Sequence, residues 1–261
     1  MAALELGRRF LGGPQDLAVV EGNDFSRRIW EYLGASVCLL YSFCWTRVIR
    51  PAQYSLSSLY ERGLLPPAAR ILKPLCHAAD ATLDLIPQQA FRFRPPVALG
   101  DELDNVTLLA CLSAFENNRS LQPIYDHASL AWLINLLDGK RHLGTLHKVA
   151  VRTQSGRALG WYLYYLGANA IADVLQIGGK KDAIRDVLDH LFYHAWQRGA
   201  IAVTGPMDPR LCGALSENNC TFRQPDNRWM LIHSQDQRIL DAIHTGEAFL
   251  SRLEGEWWIA A

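Results

Sequence analysis

The chain has no surplus of charge of either sign: 26 lysines and arginines stand against 26 aspartates and glutamates in 261 residues. That balance removes the basic footprint expected of a nucleic-acid binder or an anionic-membrane binder, so neither partner is expected and charge-driven binding must be local. Paired cysteine spacing is missing too. Cys38, Cys44, Cys76, Cys111, Cys212 and Cys220 form no CxxC pair and no Cys/His zinc pattern, and read as reduced, mostly buried thiols. No apolar run approaches the roughly twenty residues needed to cross a bilayer; the longest, about Ala35 to Trp45, is interrupted by serines. Met1 to Gly12 carries Glu5 and two arginines without an apolar stretch, which is not a secretory signal, and the expected location is the cytoplasm. Catalytic signatures are sparse. There is no GxSxG, Cys212 with His233 or His190 lacks a supporting motif, and His190 and His194 stand at i and i+4 without the glutamate of HExxH, so no metal is expected.

What is present is ordinary globular material, 49% hydrophobic and 20% charged. Ala2 to Leu11 has helical composition and ends at Gly12-Gly13-Pro14. Leu17 to Val20 reads as a buried strand, and Asn23 or Asp24 caps a helix carrying Phe25, Ile29, Trp30 and Leu33 at helical spacing. Ser36 to Ile49 follows as one long strand or two short ones. Pro51 to Pro96 is proline-rich, with helical stretches near Leu56 to Arg62 and Pro67 to Leu85. Helices are then expected at Asn105 to Phe115 and His127 to Leu137. Strands follow at Leu146 to Thr153, Ala158 to Leu166 and Ile171 to Gln176, with a hairpin turn at Gln154-Ser155-Gly156-Arg157. Asp182 to Arg198 is the clearest helix. After it come a strand at Ile201 to Thr204, a helix opened by Asp208-Pro209, one or two strands over Thr221 to His233, and a helix over Gln235 to Leu253.

The opening pattern returns late in the chain. Val20 and Val203, Gly22 and Gly205, Arg27 and Arg210, Val37 and Cys220, Val48 and Leu231 are each 183 positions apart. The expected organisation is a half-domain of helix, strand, helix and strand over residues 1–51, a helical connection over 52–90, and a complete α/β domain over 91–261. The chain reads as starting in mid-domain.

Two helices, three meandering strands, a long helix, a strand, a helix and a terminal hairpin is an order that resembles the GNAT superfamily of acyl-CoA N-acyltransferases. The resemblance covers about Phe91 to Ser234 as one copy and Ala2 to Pro51 as the second half of another; Gly160-Trp161-Tyr162-Leu163-Tyr164-Tyr165 and the Phe249 to Trp258 segment resemble tandem bacterial members. It implies a mixed, mostly antiparallel sheet flanked by helices, and transfer of an acyl group from acetyl-CoA or another acyl-CoA to an amine of a small molecule or protein. A non-catalytic ligand-binding or protein-interaction module, and a FemAB-like aminoacyltransferase, are the alternatives.

In that family the pantetheine arm lies between two splayed strands, and the pyrophosphate rests on backbone N–H groups at the start of the long helix, where unpaired donors and the helix dipole favour an anion. Here the position falls on Gln176, Ile177, Gly178, Gly179, Lys180 and Lys181, with Arg185 one turn on; Gln176 and Gly179 fit the family loop, while Lys181 stands where a small residue belongs. The usual tyrosine acid of the family's later helix is replaced by Trp30 in the first copy and Gly213 in the second. Candidates to fill its role are Tyr162 and Tyr164, which alternation sends to one strand face, and Glu256 beside the terminal tryptophans.

Overall fold

The computed structural model describes residues 2–66, 71–85, 93–115 and 119–253. Helix α1 (Ala2–Leu11) leads into strand β1 (Ala18–Gly22). Asn23 then caps α2 (Asp24–Tyr32), its side chain accepting the Ser26 N–H at 2.8 Å. Gly34 follows the helix at φ 94°, a conformation that favours glycine. The apolar stretch after it is two short strands, β2 (Ser36–Val37) and β3 (Cys44–Val48), parted by a 3-10 turn at Leu40–Ser42. Ser42 fixes that turn: its hydroxyl donates to the Cys38 carbonyl at 2.8 Å and accepts the Met230 N–H at 2.9 Å.

Helices α3 (Pro51–Glu61) and α4 (Lys73–Leu85) form the connection. Asp80, buried on α4, accepts the N–H groups of Ala52 and Gln53 at 2.8 and 3.1 Å, satisfying donors that the start of α3 leaves open. The remaining elements are β4 (Leu99–Glu102), α5 (Asn105–Phe115), α6 (His127–Gly139), β5 (Thr145–Arg152), β6 (Ala158–Leu166), β7 (Ile171–Gly179), α7 (Ile184–Gln197), β8 (Ala202–Pro206), α8 (Cys212–Glu217), β9 (Thr221–Arg223), β10 (Trp229–His233) and α9 (Gln237–His244). Strand β4 is invisible to sequence patterning because all four of its residues are exposed. The helix expected over Gln235 to Leu253 stops at His244, with Gly246 at φ 77° turning the chain out of it.

Two sheets form among the described residues. The larger has the order β4-β5-β6-β7-β8-β3-β9, antiparallel throughout except for the parallel pair β7 and β8; the smaller has β10 between β1 and β2. Each sheet therefore takes an interior strand from the far end of the chain. The 183-position spacing is not kept residue for residue in the ladders: Val20 faces Leu231, while Val203 faces Arg47, one residue short of Val48.

The alternation of β6 divides the core. Tyr162 and Tyr164 join Trp45, Val187, Leu191 and Phe192 beneath α7; Trp161, Leu163 and Tyr165 join Leu108, Leu130 and Ile134 beneath α5 and α6. Strand β6 is thus buried on both faces, which is why it carries four aromatic residues with no polar alternation.

Candidate functional site: the opening between β7 and β8

Strands β7 and β8 pair only at Ile171 with Ala202, Ala172 with Val203 and Asp173 with Thr204. Past that point β7 continues along β6 to Gly179, while β8 ends at Pro206, whose carbonyl accepts the Trp45 Nε1–H at 3.0 Å. A bulge marks the divergence on β7: Tyr164 faces Val174 and Leu163 faces Gln176, leaving Leu175 outside the ladder. The extra residue turns both Leu175 and Gln176 toward the α5/α6 side, where Leu175 enters the core and the Gln176 Oε1 accepts the Trp161 Nε1–H at 2.8 Å.

The chain's own C-terminal segment lies against this opening. Arg252 N–H donates to the Leu175 carbonyl at 3.1 Å, and Gln176 Nε2 donates to the Ser251 hydroxyl at 3.2 Å. Phe249 and Leu253 are 2% and 1% exposed within the α5/α6 core. Residues 119–121 hold the segment from the other side. Ser120 N–H donates to the Glu247 carbonyl at 3.1 Å and Phe249 N–H to the Leu121 carbonyl at 2.8 Å. Arg119 Nη1 and the Tyr41 hydroxyl both donate to the Ala248 carbonyl, at 2.9 and 2.8 Å. Arg119 also makes a buried ion pair with Asp208 at 2.7 Å, just after β8.

The predicted cofactor residues are divided by this geometry. Gln176, Ile177, Gly178 and Gly179 are strand residues paired to β6; Lys180 begins the turn into α7, its N–H bonded to the Leu159 carbonyl at 3.0 Å. The glycines have a packing cause: a Cβ on Gly178 would lie 2.1 Å from the Trp161 ring, and one on Gly179 2.9 Å from the Leu159 carbonyl. Helix α7 starts at Ile184 instead of Asp182, without a side-chain cap. Lys180 Nζ lies 5.6 Å from the centre of the Phe115 ring, and Arg185 pairs with Glu217 on α8.

Tyr162 and Tyr164 share one face, as alternation requires, and that face is the interior beneath α7. Both are fully buried. The Tyr162 hydroxyl and His190 Nδ1 are 2.8 Å apart, and the Tyr164 hydroxyl and His194 Nδ1 2.9 Å apart. Burial pushes both phenols far above their ordinary range. It lowers His190, and, aided by the charge of Arg198, takes His194 down to about 4. His147 stacks on Tyr164 at 4.9 Å and is lowered in the same way. The i, i+4 histidine pair is therefore held neutral by burial, each ring nitrogen meeting a tyrosine hydroxyl. Glu256 lies outside the described residues.

Cavities flank the C-terminal segment on both sides. One of about 500 Å3 is largely apolar, lined by Phe10, Leu17, Val19, Met207, Met230 and Leu250 among others. Another of about 480 Å3 is lined by Leu175, Asp173 and Tyr165 from the large sheet and by Glu21, Arg228 and Arg252. Sequence reading saw Asp208 only as a helix cap and Arg252 only as part of the Phe249 to Trp258 segment, and singled out none of Arg119, Asp173 or Arg228. Their partners are 79 to 207 positions away, so no local spacing could have revealed them.

No protein-family model matches the chain, and no curated protein matches it in sequence. Solved structures do match in shape. A conserved Enterococcus faecalis protein of unknown function, described as a probable N-acyltransferase, superposes with a TM-score of 0.50 at 9% identity, over 88% of this chain and 48% of that one. The chain has the GNAT fold. A GCN5-related N-acetyltransferase from Anabaena variabilis gives a TM-score of 0.49 at 13% identity, over 88% of this chain and 50% of its own. The chain spans about half the length of these structures. In GNAT terms β4 to β7 are the antiparallel meander, α7 is the long helix, and the opening between β7 and β8 is the splay of the fold.

Proposed function

We propose that the protein is a GNAT-type N-acyltransferase that takes an acyl group from acyl-CoA and passes it to an amine. The observation that carries this reading is the divergence of β7 from β8 at the Leu175 bulge, which turns a backbone carbonyl into the opening. That carbonyl accepts an amide N–H from Arg252. A pantetheine arm carries amide N–H groups of the same kind, so the strand edge is chemically suited to it. Lys180, Lys181 and Arg185 stand at the turn into α7, where the pyrophosphate of such a donor would meet backbone N–H groups and positive side chains. Under this reading the incoming amine loses its proton as it attacks the thioester carbonyl, the carbon–sulfur bond breaks, and the thiolate leaves with a proton. The chain's contribution is then chiefly orientation and exclusion of water.

A second reading, a non-catalytic GNAT module, is favoured by one observation: Ser251, Arg252 and Leu253 occupy the strand edge that the donor needs. Comparing the full chain with one ending at Leu250 separates the two. Under the enzyme reading the shortened chain binds acetyl-CoA at least tenfold more tightly by calorimetry and acetylates n-butylamine, an acceptor with no acid group for Arg252 to hold. If neither chain gives heat with acetyl-CoA or a longer acyl-CoA, acyl transfer is excluded.

A further inference from the structure

The opening between β7 and β8 has a polar side that the acyl donor does not use. Two cavities, of about 480 and 690 Å3, adjoin there and share Leu143, Asp173, Arg228 and Arg252; a small third one, next to Cys44 and Ser42, is lined by the same two arginines. Arg228 enters from the turn before β10, where Asn227 takes φ 59°, and Arg252 from the C-terminal segment. The larger cavity is lined by four basic side chains, His142, Arg223, Arg228 and Arg252, against one carboxylate, Asp173, with the hydroxyls of Thr46 and Thr204 on its strand floor.

Each inner arginine has one carboxylate partner. Arg228 pairs with Glu21, with Nη2 to Oε2 at 2.9 Å, and Arg252 pairs with Asp173. A guanidinium has five N–H donors and a bidentate carboxylate engages two, so a further acceptor can be served. Two guanidiniums held around one partly buried space repel, and a ligand anion between them changes that repulsion into attraction. The environment bears this out: burial, and then the charge of Arg252, bring Arg228 down to about 10.

We propose that Arg228 and Arg252 form a binding site for the anionic group, carboxylate or phosphate, of a small molecule, and that this molecule is the amine acceptor. The acceptor role rests on the acyl-transfer reading; the binding does not. Asp173 faces Thr204 in the last parallel pair before the strands part, so a ligand anchored on the arginines sits beside the point where an acyl group would be presented. The half-exposed Asp173 carboxylate in the same cavity suits the ligand's ammonium. A carboxylate directly beside two guanidiniums in one cavity describes an amine that also carries an acid, such as an amino acid or an aminoalkyl phosphate.

The test reads the arginines directly. The Nε–H resonances of Arg228 and Arg252 are followed by NMR while the full chain is titrated separately with succinate and with inorganic phosphate. Arg9, exposed and paired with Glu5 on α1, serves as the control. Saturating shifts at both inner arginines with one of the two anions, Arg9 drifting without saturation, identify the site and its chemistry. Arg228→Gln, folded to within a few degrees of the parent melting temperature, is expected to weaken that binding at least tenfold at Arg252. Absence of saturation with both anions, or unchanged affinity in Arg228→Gln, overturns the site. For the acceptor role, kcat/KM for acylation of β-alanine and of phosphoethanolamine is compared with that for n-butylamine. Preference for an acid-bearing amine, lost in Arg228→Gln, supports it, and equal use of all three refutes it. Saturating anion binding without acylation of any amine leaves the site standing and removes the acyl-transfer reading.

Discussion

At the residue scale, the tyrosines and histidines beneath α7 behave as a packed, neutral unit. His190, His194 and His147 all sit below the ordinary imidazole value because burial disfavours the charged form. Their folded pKa is lower than the unfolded value of 6.5, so the folded state binds fewer protons as the pH falls. Their contribution to stability is complete above about pH 6.5 and is lost as the pH falls toward 4, the value for His194. The melting temperature should drop across that window, and His194→Gln should flatten the drop; superimposable pH profiles for the two proteins would contradict the assignment. Tyr162→Phe removes the hydroxyl that meets His190 Nδ1 and leaves a buried ring nitrogen unpaired, at a cost of about 1–3 kcal/mol in urea unfolding. Because Tyr162 is sealed inside that core, its removal should change kcat of any measured transfer less than threefold. A hundredfold fall in kcat at unchanged stability would restore it as an acid.

At the element scale, the end of β7 shows how far local sequence could be read. Helices α5, α6 and α7 and strands β5 and β6 follow from apolar periodicity, since each is longer than one turn of its pattern and carries an amphipathic or wholly buried face. Periodicity stopped β7 at Gln176, because Gly178 and Gly179 look like loop residues. They are strand residues whose missing side chains admit the Trp161 ring and the neighbouring strand. Glycine marks a close approach in either case, and only the partner, found 17 positions away, tells a phosphate loop from a packed strand. Gly178→Ala therefore tests which partner matters. A Cβ 2.1 Å from Trp161 should lower stability by about 1–3 kcal/mol through overpacking. Once the protein is folded, acyl-CoA affinity should be unchanged; a selective loss of affinity at unaltered stability would point back to phosphate contact. The C-terminal segment escaped local reading for another reason. Gln237 to His244 is helical, but residues 247–253 are fixed by bonds to Leu121, Leu175 and Asp173, which no local pattern encodes.

At the scale of the whole molecule, the two sheets are tied by the strands they exchange. Strand β3, residues 44–48, fills the place between β8 and β9, and β10, near the other end, fills the place between β1 and β2. The exchange has a mechanical consequence. Unfolding the small sheet frees β10 and also pulls on β3, which follows β2 by six residues; unfolding the large sheet takes β3 with it. The described sheets should therefore melt together although each has its own apolar cluster. Trp45 lies at the joint, fully buried on β3, donating to the Pro206 carbonyl and meeting the Phe192 ring edge-on at 6.0 Å. Trp45→Ala should cost about 3–5 kcal/mol. Hydrogen exchange of β1 and β10 amides should accelerate along with that of β7 and β8, because protection in one sheet depends on the strand held by the other. If β1 and β10 keep their parent protection while β7 and β8 lose theirs, the sheets unfold independently and the exchanged strands do not couple them.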